Sequence, residues 1–391
     1  MAVGGPGGLA CAHRRPLPSS ARRRDRAVSL RTRLRPLDDL SNDDLRAWEK
    51  LAKSSAASVP FLHPGFVLSA ARWLTPDAPP FVLTVERDDA LLGLTCLQRR
   101  APNLFVPVPH WRAYRHQHAF QSGVLHLPGE AIEVAGAIAA RMREGTLRDR
   151  AIVWHNVAGD GELWAALRDQ ADLAWSQTAL SQRPVLRRHP DDVPAAARVR
   201  AATVKDLRRR LRRLQERGDV SLRVLQGTEA DTAAAMRHLT LEDAGWKGER
   251  GSSMLASEGE RTFFLELVPR LASSGGMVFV ETLCGDQVVA SSSNLHLGGG
   301  LSGFKTGWDP AFATSSPGKL NEWHLLQALD QQWPELTLFD SQAHETSYMA
   351  ELLPDRQPMV SGILHVGRPH RIAMAGVRPL RPLAYRLGHD D

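Results

Sequence analysis

The stretch FKTGWDPAFATSSPGKL, residues 304–320, decides how this chain folds, because it joins a strand to a capped helix. A short strand is predicted over 301–306, followed by a turn-rich loop and by a helical run over 320–329. Ser316 is the predicted N-cap of this helix. Pro317 suits the first helical position, where a backbone N–H would have no partner within the helix. Free N–H groups at such a helix start form a candidate anion site. The alternative is an ordinary strand–loop–helix connection.

Length and composition indicate a soluble globular protein of about two domains. The chain has 391 residues, 43% of them hydrophobic and 24% charged, which suits domains with proper cores. We expect no membrane span, because no apolar run is long enough to cross a bilayer. Cys11, Cys96 and Cys284 lie far apart and form no CxxC pair. The cysteines therefore favour a cytoplasmic protein without a disulfide framework or structural zinc.

The positive charge is concentrated in the tail, residues 1–35. This segment holds nine arginines against one aspartate, a balance of +8, so with +6 overall the remaining residues carry −2. The tail is rich in Gly, Pro, Ser and Arg and lacks periodicity, which predicts a disordered basic segment outside the fold. A nearly neutral body argues against nucleic-acid binding.

The rest of the chain repeats one order of elements. The same order is predicted over 36–195 and again over 220–387: strand, helix, helix, hairpin, strand, helix, strand, helix, strand. The hairpin strand 81–86 corresponds in kind to 278–283, and Pro128-Gly129 falls where Pro317-Gly318 falls. The sequence therefore predicts a tandem duplication of a mixed α/β unit of ordinary domain size.

Several local expectations follow from capping and breaking residues. Ser41 and Ser257 predict helix starts, the second as a capping box with Glu260. Pro269 predicts an early kink or end of its helix. We further expect short extended segments over 104–108, 119–127 and 184–187 and a helix over 345–353.

The order of elements in each copy resembles the GCN5-related N-acetyltransferase (GNAT) fold, and two copies in tandem resemble the Fem-type arrangement. The second copy carries the more specific motifs. These are LEDAGWKG (241–248), FKT (304–306), WDPAF (308–312), SPG (316–318) and FDS (339–341), and together they resemble the acetyltransferase-like domain of cellulose-biosynthesis-type bacterial proteins. The resemblance covers roughly 36–387. Where relatives tend to carry Cys-Ala-x-Pro-x-His-Pro, this chain has QAHETSY (342–348).

The resemblance implies a mostly antiparallel mixed sheet flanked by helices in each copy, and an acyl-CoA-dependent N-acyltransferase. An amine of a small or cell-envelope-related acceptor would attack the thioester of acetyl-CoA directly, without a metal. The expected cradle for the CoA pyrophosphate lies at the helix start and comprises Ser316, Pro317, Gly318, Lys319 and Leu320.

Three residues are candidates for the chemistry. Glu242 would act as base or hold the acceptor amine; alternatively it caps the helix or pairs with Lys247. Tyr348 falls where acetyltransferases of this fold often carry the proton donor of the thiolate; alternatively it is a packing aromatic. Asp309 would bind an amine or merely form the Trp-Asp-Pro turn.

Four residues are expected on the substrate side of the site. Lys305 is placed to pair with a carboxylate or a phosphate, or is a strand-edge charge. The full set is Trp246, Lys247, Lys305 and Asp340.

Between the copies, residues 196–219 form a predicted basic linker helix. Val204, Leu207, Leu211 and Leu214 recur at helical spacing over 201–217, and lysine and arginine cover the other faces. Thr203 is its predicted cap. The helix is either a solvated connector or a basic ridge for the phosphates of CoA or of an RNA backbone.

No metal site is expected. His110, His116 and His118 are close in sequence, but no carboxylate with metal-site spacing accompanies them. They are therefore predicted to line a cleft or the surface.

Two alternative functions stay open. A Fem-type transferase would take its group from aminoacyl-tRNA, as the basic linker favours. A non-catalytic GNAT-like protein would instead serve as a binding partner in polysaccharide biosynthesis.

Overall fold

One continuous sheet organises the protein in the computed structural model, which describes residue 1 and residues 30–103, 106–188 and 193–367, apart from the side chain of Trp246. Thirteen strands belong to it within those ranges. They are β1 (Leu30–Pro36), β2 (Phe81–Arg87), β3 (Ala90–Arg100), β4 (His110–Ala113), β5 (Leu125–His126), β6 (Ala151–Ala158), β7 (Leu173–Arg187), β8 (Val220–Gln226), β9 (Met277–Cys284), β10 (Gln287–Leu297), β11 (Gly300–Trp308), β12 (Leu338–Asp340) and β13 (Asp355–Val366).

The strand order shows the duplication predicted from the sequence. The order is β1-β2-β3-β4-β6-β13-β7-β12-β11-β10-β9-β8, with β5 beside β3. Most neighbours are antiparallel, whereas β4 pairs in parallel with β6 and β11 with β12. From either edge of the sheet to its centre, the strands follow the same pattern. The order β1-β2-β3-β4-β6-β13 in one half corresponds to β8-β9-β10-β11-β12-β7 in the other. The fold is therefore a mixed α/β tandem of GNAT-like units.

The two halves exchange their last strands. β7 ends the first repeat but pairs with β12 of the second, and β13 ends the second repeat but pairs with β6 of the first. β7 and β13 also pair with each other along their whole lengths. The boundaries 36–195 and 220–387 remain proposals, because each range contains a strand that lies in the other half of the sheet.

Ten α-helices cover the sheet within the described ranges. They are α1 (Asn42–Ser54), α2 (Pro64–Trp73), α3 (Ala131–Glu144), α4 (Glu162–Arg168), α5 (Ala201–Gln215), α6 (Thr232–Ala244), α7 (Trp246–Glu249), α8 (Glu258–Ala272), α9 (Pro317–Gln332) and α10 (Met349–Leu352). Apolar residues of α1, α2, α6 and α8 share one core on one face of the sheet. On the other face, α3 and α4 cover the first half, and α5 and α9 cover the second.

The shared core joins the two halves through aromatic side chains. Phe66 of α2 contacts Phe263 of α8 at a centroid distance of 5.4 Å and Phe304 of β11 at 5.8 Å. Phe66 and Phe263 are completely buried, and burying such a ring contributes about 1.5–3 kcal/mol. The core thus holds together residues that are far apart in sequence and supports β11.

Local sequence features explain several element boundaries. Ser41 accepts a hydrogen bond from the Asp44 N–H, and the Asp44 carboxylate accepts one from the Ser41 N–H, which completes a capping box before α1. Asp88 and Asp89 both adopt positive φ, the backbone of a two-residue hairpin turn between β2 and β3.

The basic tail is shorter than predicted. Residues 30–35 form most of β1, where Arg35 makes a bidentate ion pair with Asp44. Arginines at alternate positions of this strand bind carboxylates on the neighbouring elements, so they belong to the fold.

β7 extends far beyond the predicted segment 184–187. Its residues 176–182 are largely exposed and include serine and glutamine, so no apolar alternation marks them as a strand. Pairing with β13 supplies the missing stabilisation. Of the predicted segment 119–127 only Leu125–His126 is a strand, and part of 104–108 lies outside the described residues.

Three helix predictions were wrong in detail. Pro269 lies inside α8, which continues to Ala272. Ser257 caps α8 by accepting from the Glu260 N–H, but the Glu260 carboxylate contacts His118 instead of completing the box. The linker helix is capped at Arg200 rather than Thr203 and has no side-chain cap bond.

Residues 345–348, predicted as the beginning of a helix over 345–353, belong instead to a loop that spans 341–348. Ser341 Oγ donates to the Pro184 carbonyl, and the Gln342 N–H donates to the Asp340 carboxylate. These side-chain bonds compete with helix formation, so α10 starts only at Met349. Tyr348 therefore lies just before α10.

Candidate functional site

A cavity of about 540 Å³ lies between β11, the start of α9 and the loop 341–348. This volume is within the range of small-molecule sites. The second repeat supplies most of the lining, the linker helix contributes Arg210, and the first repeat contributes Phe120. Of the residues predicted from the sequence, this cavity brings together Lys247, Lys305, Ser316, Gly318, Lys319 and Tyr348.

Ser316 turns the chain into α9, but its side chain does not cap the helix. It adopts a left-handed conformation with φ 48° and ψ 60°, which is uncommon for a residue other than glycine. Its hydroxyl accepts a hydrogen bond from Arg210 Nη1 at 2.5 Å. The linker helix therefore fixes the turn at which the cavity meets α9.

The predicted main-chain cradle is smaller than expected. Pro317 has no N–H, and the N–H groups of Lys319 and Leu320 both donate to the Ser316 carbonyl. Among the described residues, the Gly318 N–H has no such acceptor and remains available. A Cβ at Gly318 would lie 3.2 Å from the Trp308 ring, so glycine also permits this close packing. Anion binding here would rest on Gly318 together with the side chains of Arg210 and Lys319.

Glu322 is a functional candidate that sequence reasoning missed. It lies in the second turn of α9, is 4% exposed and lines the cavity. Thr306 Oγ1 donates to its carboxylate at 3.2 Å. Burial raises the pKa of Glu322 to about 7, against the opposing hydrogen bonds from Thr306 and Ser292. A carboxylate with such a pKa can take up and release a proton near neutral pH.

Tyr348 places its hydroxyl beside the same threonine. As a whole the residue is 37% exposed, but its hydroxyl end is enclosed. Burial raises the pKa of the Tyr348 phenol well above its ordinary range, the Glu322 carboxylate adds to this effect, and a hydrogen bond with Thr306 opposes it. The phenol therefore keeps its proton at neutral pH and can act as a donor.

Lys305 extends from β11 into the cavity. Its ammonium lies 5.4 Å from the centroid of Phe120 and 5.7 Å from that of Phe304, distances at which aromatic faces attract a cation. Burial lowers the pKa of Lys305 to about 8, although Glu242 partly offsets this effect.

Glu242 is engaged in an ion pair with Lys247. Lys247 Nζ donates to Glu242 Oε1 at 2.7 Å, and the Met254 N–H donates to Oε2 at 3.2 Å. Burial acts to raise the pKa of Glu242, but the charge and hydrogen bond of Lys247 outweigh it and lower the pKa below its ordinary value. The geometry thus favours the pairing interpretation over the role of base.

Asp309 forms a turn, as its alternative interpretation predicted. Its carboxylate accepts from the Ala311 N–H at 2.8 Å and from Gln287 Nε2 at 2.7 Å, and it does not belong to the cavity lining among the described residues. Asp340 is 3% exposed and pairs with Arg183 of β7 at 3.1 Å. The side chain of Trp246 lies outside the described residues.

The three histidines predicted to line a cleft or the surface lie largely in the interior, since His110 and His118 are buried and His116 is half-buried. His118 stacks on Phe263 at 5.8 Å and contacts Glu260 at 2.9 Å, and His116 stacks on Phe66 at 5.6 Å. Across the described ranges, no group of three His, Cys, Asp or Glu side chains is arranged to hold a metal ion. In the same part of the chain, none of the helices is both long and apolar enough to cross a bilayer.

Comparisons with known proteins agree with the architecture. Residues 201–348 match the family model described as acetyltransferase (GNAT) domain. FemX has a similar structure, with a TM-score of 0.55 and 9% identity over 87% of this chain and 98% of that one. A Bacteroides thetaiotaomicron protein of unknown function has a TM-score of 0.54 and 8% identity, over 84% and 98%. No curated protein matches the sequence.

The sheet topology and the family match together define the class. The protein is acetyltransferase-like and has the GNAT fold. Its tandem arrangement is the overall fold that it shares with FemX.

Proposed function

We propose that the protein is an acyl-CoA-dependent N-acyltransferase that moves an acetyl group from acetyl-CoA to an amine of a small or cell-envelope-related acceptor. The observation that carries this proposal is the convergence of Glu322 and Tyr348 on Thr306 inside the cavity. The Glu322 carboxylate can accept a proton near neutral pH, and the Tyr348 phenol stays protonated and can donate one. Acylation of an amine uses a proton acceptor for the amine and a proton donor for the leaving thiolate.

The cofactor would be held at the α9 end of the cavity. Arg210 and Lys319 line this end and the Gly318 N–H is available there, so two cations and the positive end of a helix would face the pyrophosphate. Acetyl-CoA, when bound, supplies the activated thioester.

Protein groups would then manage the protons. As the amine nitrogen bonds to the acetyl carbon, Glu322 accepts its proton; as the carbon–sulfur bond breaks, Tyr348 donates a proton to the leaving thiolate. Each such transfer typically accelerates a reaction by about 10²–10⁴-fold. We place the reaction in the cytoplasm, in keeping with the free buried thiols Cys96 and Cys284.

Thermal unfolding with acetyl-CoA tests the cofactor. A ligand at 100 times its dissociation constant stabilises the folded state by about 2.7 kcal/mol, so we expect a clear rise in Tm. The Arg210→Ala variant should show a smaller rise, and Arg209→Ala, on the same helix, serves as the matched control. No shift at saturating acetyl-CoA would contradict the proposal.

A second candidate uses aminoacyl-tRNA as the donor. It is favoured by the internal hydrogen bonds of the Lys319 and Leu320 N–H groups, which leave less of a pyrophosphate cradle. It is also favoured by the groove on α5 lined by Lys205, Arg208 and Arg212. Stabilisation by charged tRNA but not by acetyl-CoA would select this function.

A further inference from the structure

Lys305 differs from the other cations of the cavity in having no acidic partner. Among the described residues, no carboxylate lies within 4.0 Å of its Nζ; Glu242 and Glu260 act on it only at longer range. The other three cations each have a carboxylate within ion-pair distance, in the pairs Arg210–Asp206, Lys247–Glu242 and Lys319–Glu351. A half-buried cation that lacks a carboxylate partner is costly, which points to an anion supplied from outside.

Gln342 provides a hydrogen-bond acceptor in the same cavity. Its Nε2 donates to Asp340 Oδ2 at 2.8 Å and to Gln121 Oε1 at 3.0 Å. Since a carboxylate only accepts, the amide nitrogen must face Asp340, which leaves Gln342 Oε1 as a buried atom without a partner among the described residues. Gln342 also has a positive φ of 51°, a strained backbone of the kind that collects at binding sites.

Two consecutive residues of the first repeat connect these features. Phe120 lies beneath the Lys305 ammonium, and Gln121 accepts from the Gln342 amide. Arg183 of β7 fixes both, because it donates to the Phe120 carbonyl and to Gln121 Oε1, each at 3.0 Å. The first repeat thus builds one wall of this end of the cavity.

We infer that the acceptor is an amine that also carries a carboxylate, as an amino acid or a short peptide does. Its carboxylate would pair with Lys305, and an N–H of the acceptor would donate to Gln342 Oε1. A single unpaired cation matches a monoanionic carboxylate better than a doubly charged phosphate. This inference rests on the proposed function and specifies its substrate class.

Matched pairs of acceptors test the inference. The wild-type protein would be assayed with acetyl-CoA and a panel of L-amino acids and dipeptides, each beside its C-terminal amide. We expect kcat/KM to be about 10–100-fold higher for the acid of a reactive pair, since hydrogen bonds to charged groups contribute about 1.5–3 kcal/mol. Lys305→Met should reduce this ratio to near one by lowering kcat/KM for the acid only.

Lys319→Met is the matched control. It removes a cation that lines the cavity at the start of α9, where the proposed cofactor site lies, so it should weaken acetyl-CoA use while leaving the acid-to-amide ratio unchanged. A Tm rise with acetyl-CoA in Lys305→Met would show that this variant remains folded.

The outcomes separate the two proposals. Equal rates for acids and amides, or an unchanged ratio in Lys305→Met, would overturn the carboxylate inference while leaving the acyltransferase proposal intact. Acetyl-CoA binding without reaction of any acid in the panel would also count against the inference. Failure to bind acetyl-CoA would instead contradict the proposed function itself.

Discussion

Thr306 of β11 donates a hydrogen bond to the Glu322 carboxylate of α9 at 3.2 Å. This contact joins the strand and the helix that flank the cavity. Tyr348 lines the same cavity, and the Glu322 carboxylate helps to raise the pKa of its phenol. The position of the Glu322 carboxylate relative to β11 is thereby fixed.

Glu322→Gln tests the proton acceptor. Above pH 7 we expect acetyl transfer to fall by about 10²–10³-fold, in the range typical of a lost general base. In the wild type, kcat/KM should rise with pH through about 7, where Glu322 loses its proton, and this step should be absent from the variant. A variant that keeps both rate and pH step would rule out Glu322 as the base.

The same variant has a distinct stability profile. Folding raises the pKa of Glu322 from 4.5 to about 7, so between these values the folded state binds more protons than the unfolded state. This residue's contribution to the free energy of unfolding is thus greatest below pH 4.5 and falls as pH rises through 7. Glu322→Gln should flatten that dependence in urea titrations. Thr306→Val replaces the hydroxyl that donates to Glu322 with a methyl group and is the companion variant for this hydrogen bond.

Tyr348→Phe tests the proton donor. Removing only the hydroxyl should lower kcat by about 10²-fold or more while acetyl-CoA binding is retained. Steady-state rates at saturating acceptor measure the effect, and the Tm rise with acetyl-CoA controls for the site. Full turnover in the variant would leave Tyr348 as a packing aromatic.

Substitution of Arg208 and Arg212 of α5 tests whether the linker helix binds CoA. They line a groove with Lys205 on a face of α5 different from that of Arg210, which contacts Ser316. If they bind the 3′-phosphate of CoA, the double alanine variant should raise the KM for acetyl-CoA by about fivefold, as expected for exposed ion pairs of about 1 kcal/mol. The KM for 3′-dephospho-acetyl-CoA should not change. Equal effects on both donors, or none on either, would remove these arginines from the site.

Gly307 is required by a close approach of two backbones. A Cβ there would lie 2.3 Å from the Glu242 nitrogen, and backbone atoms cannot move aside cheaply. Gly307→Ala should reduce the free energy of unfolding by about 2–3 kcal/mol. In Gly136→Ala, where a Cβ meets nothing within 4 Å, we expect a gain of about 0.5–1 kcal/mol, since alanine suits a helix better. Similar values for both variants would contradict this account.

A double-mutant cycle tests the Glu242–Lys247 pair. Lys247→Met leaves a buried carboxylate without its partner and should cost about 3–5 kcal/mol. Adding Glu242→Gln should recover most of that loss. If the double variant still transfers acetyl groups, Glu242 is a structural partner; abolished turnover in a stable double variant would restore it as a candidate base.

Local sequence patterns predicted the architecture well. Caps such as Ser41 and the repeated order of elements depend on neighbouring residues, and the structure confirms the tandem mixed α/β fold. β7 was largely missed because its partner, β13, is distant in sequence and supplies the pairing that its own composition does not indicate.

The site was predictable only in part. Lys305 and Gly318, which the sequence motifs singled out, line the cavity. Glu322 was missed because it lies in a helix that carries buried polar side chains beside apolar ones. Asn321, Glu322 and His324 are all buried, and that break in the apolar pattern was the available indication. The unpaired oxygen of Gln342 depends on contacts with Gln121 and Asp340, which no local pattern reveals.

The exchange of β7 and β13 between the two halves of the sheet affects how the chain folds as it is synthesised and what its fragments can do. β13 closes the second repeat among the described residues, yet it completes the sheet next to β6, so the first half of the sheet is complete only after the second repeat has been synthesised. Such non-local pairing is intrinsically slow to form. A gene fragment that encodes either repeat alone would leave exposed strand edges, which promote aggregation. Each repeat therefore depends on the last strand of the other to complete its half of the sheet.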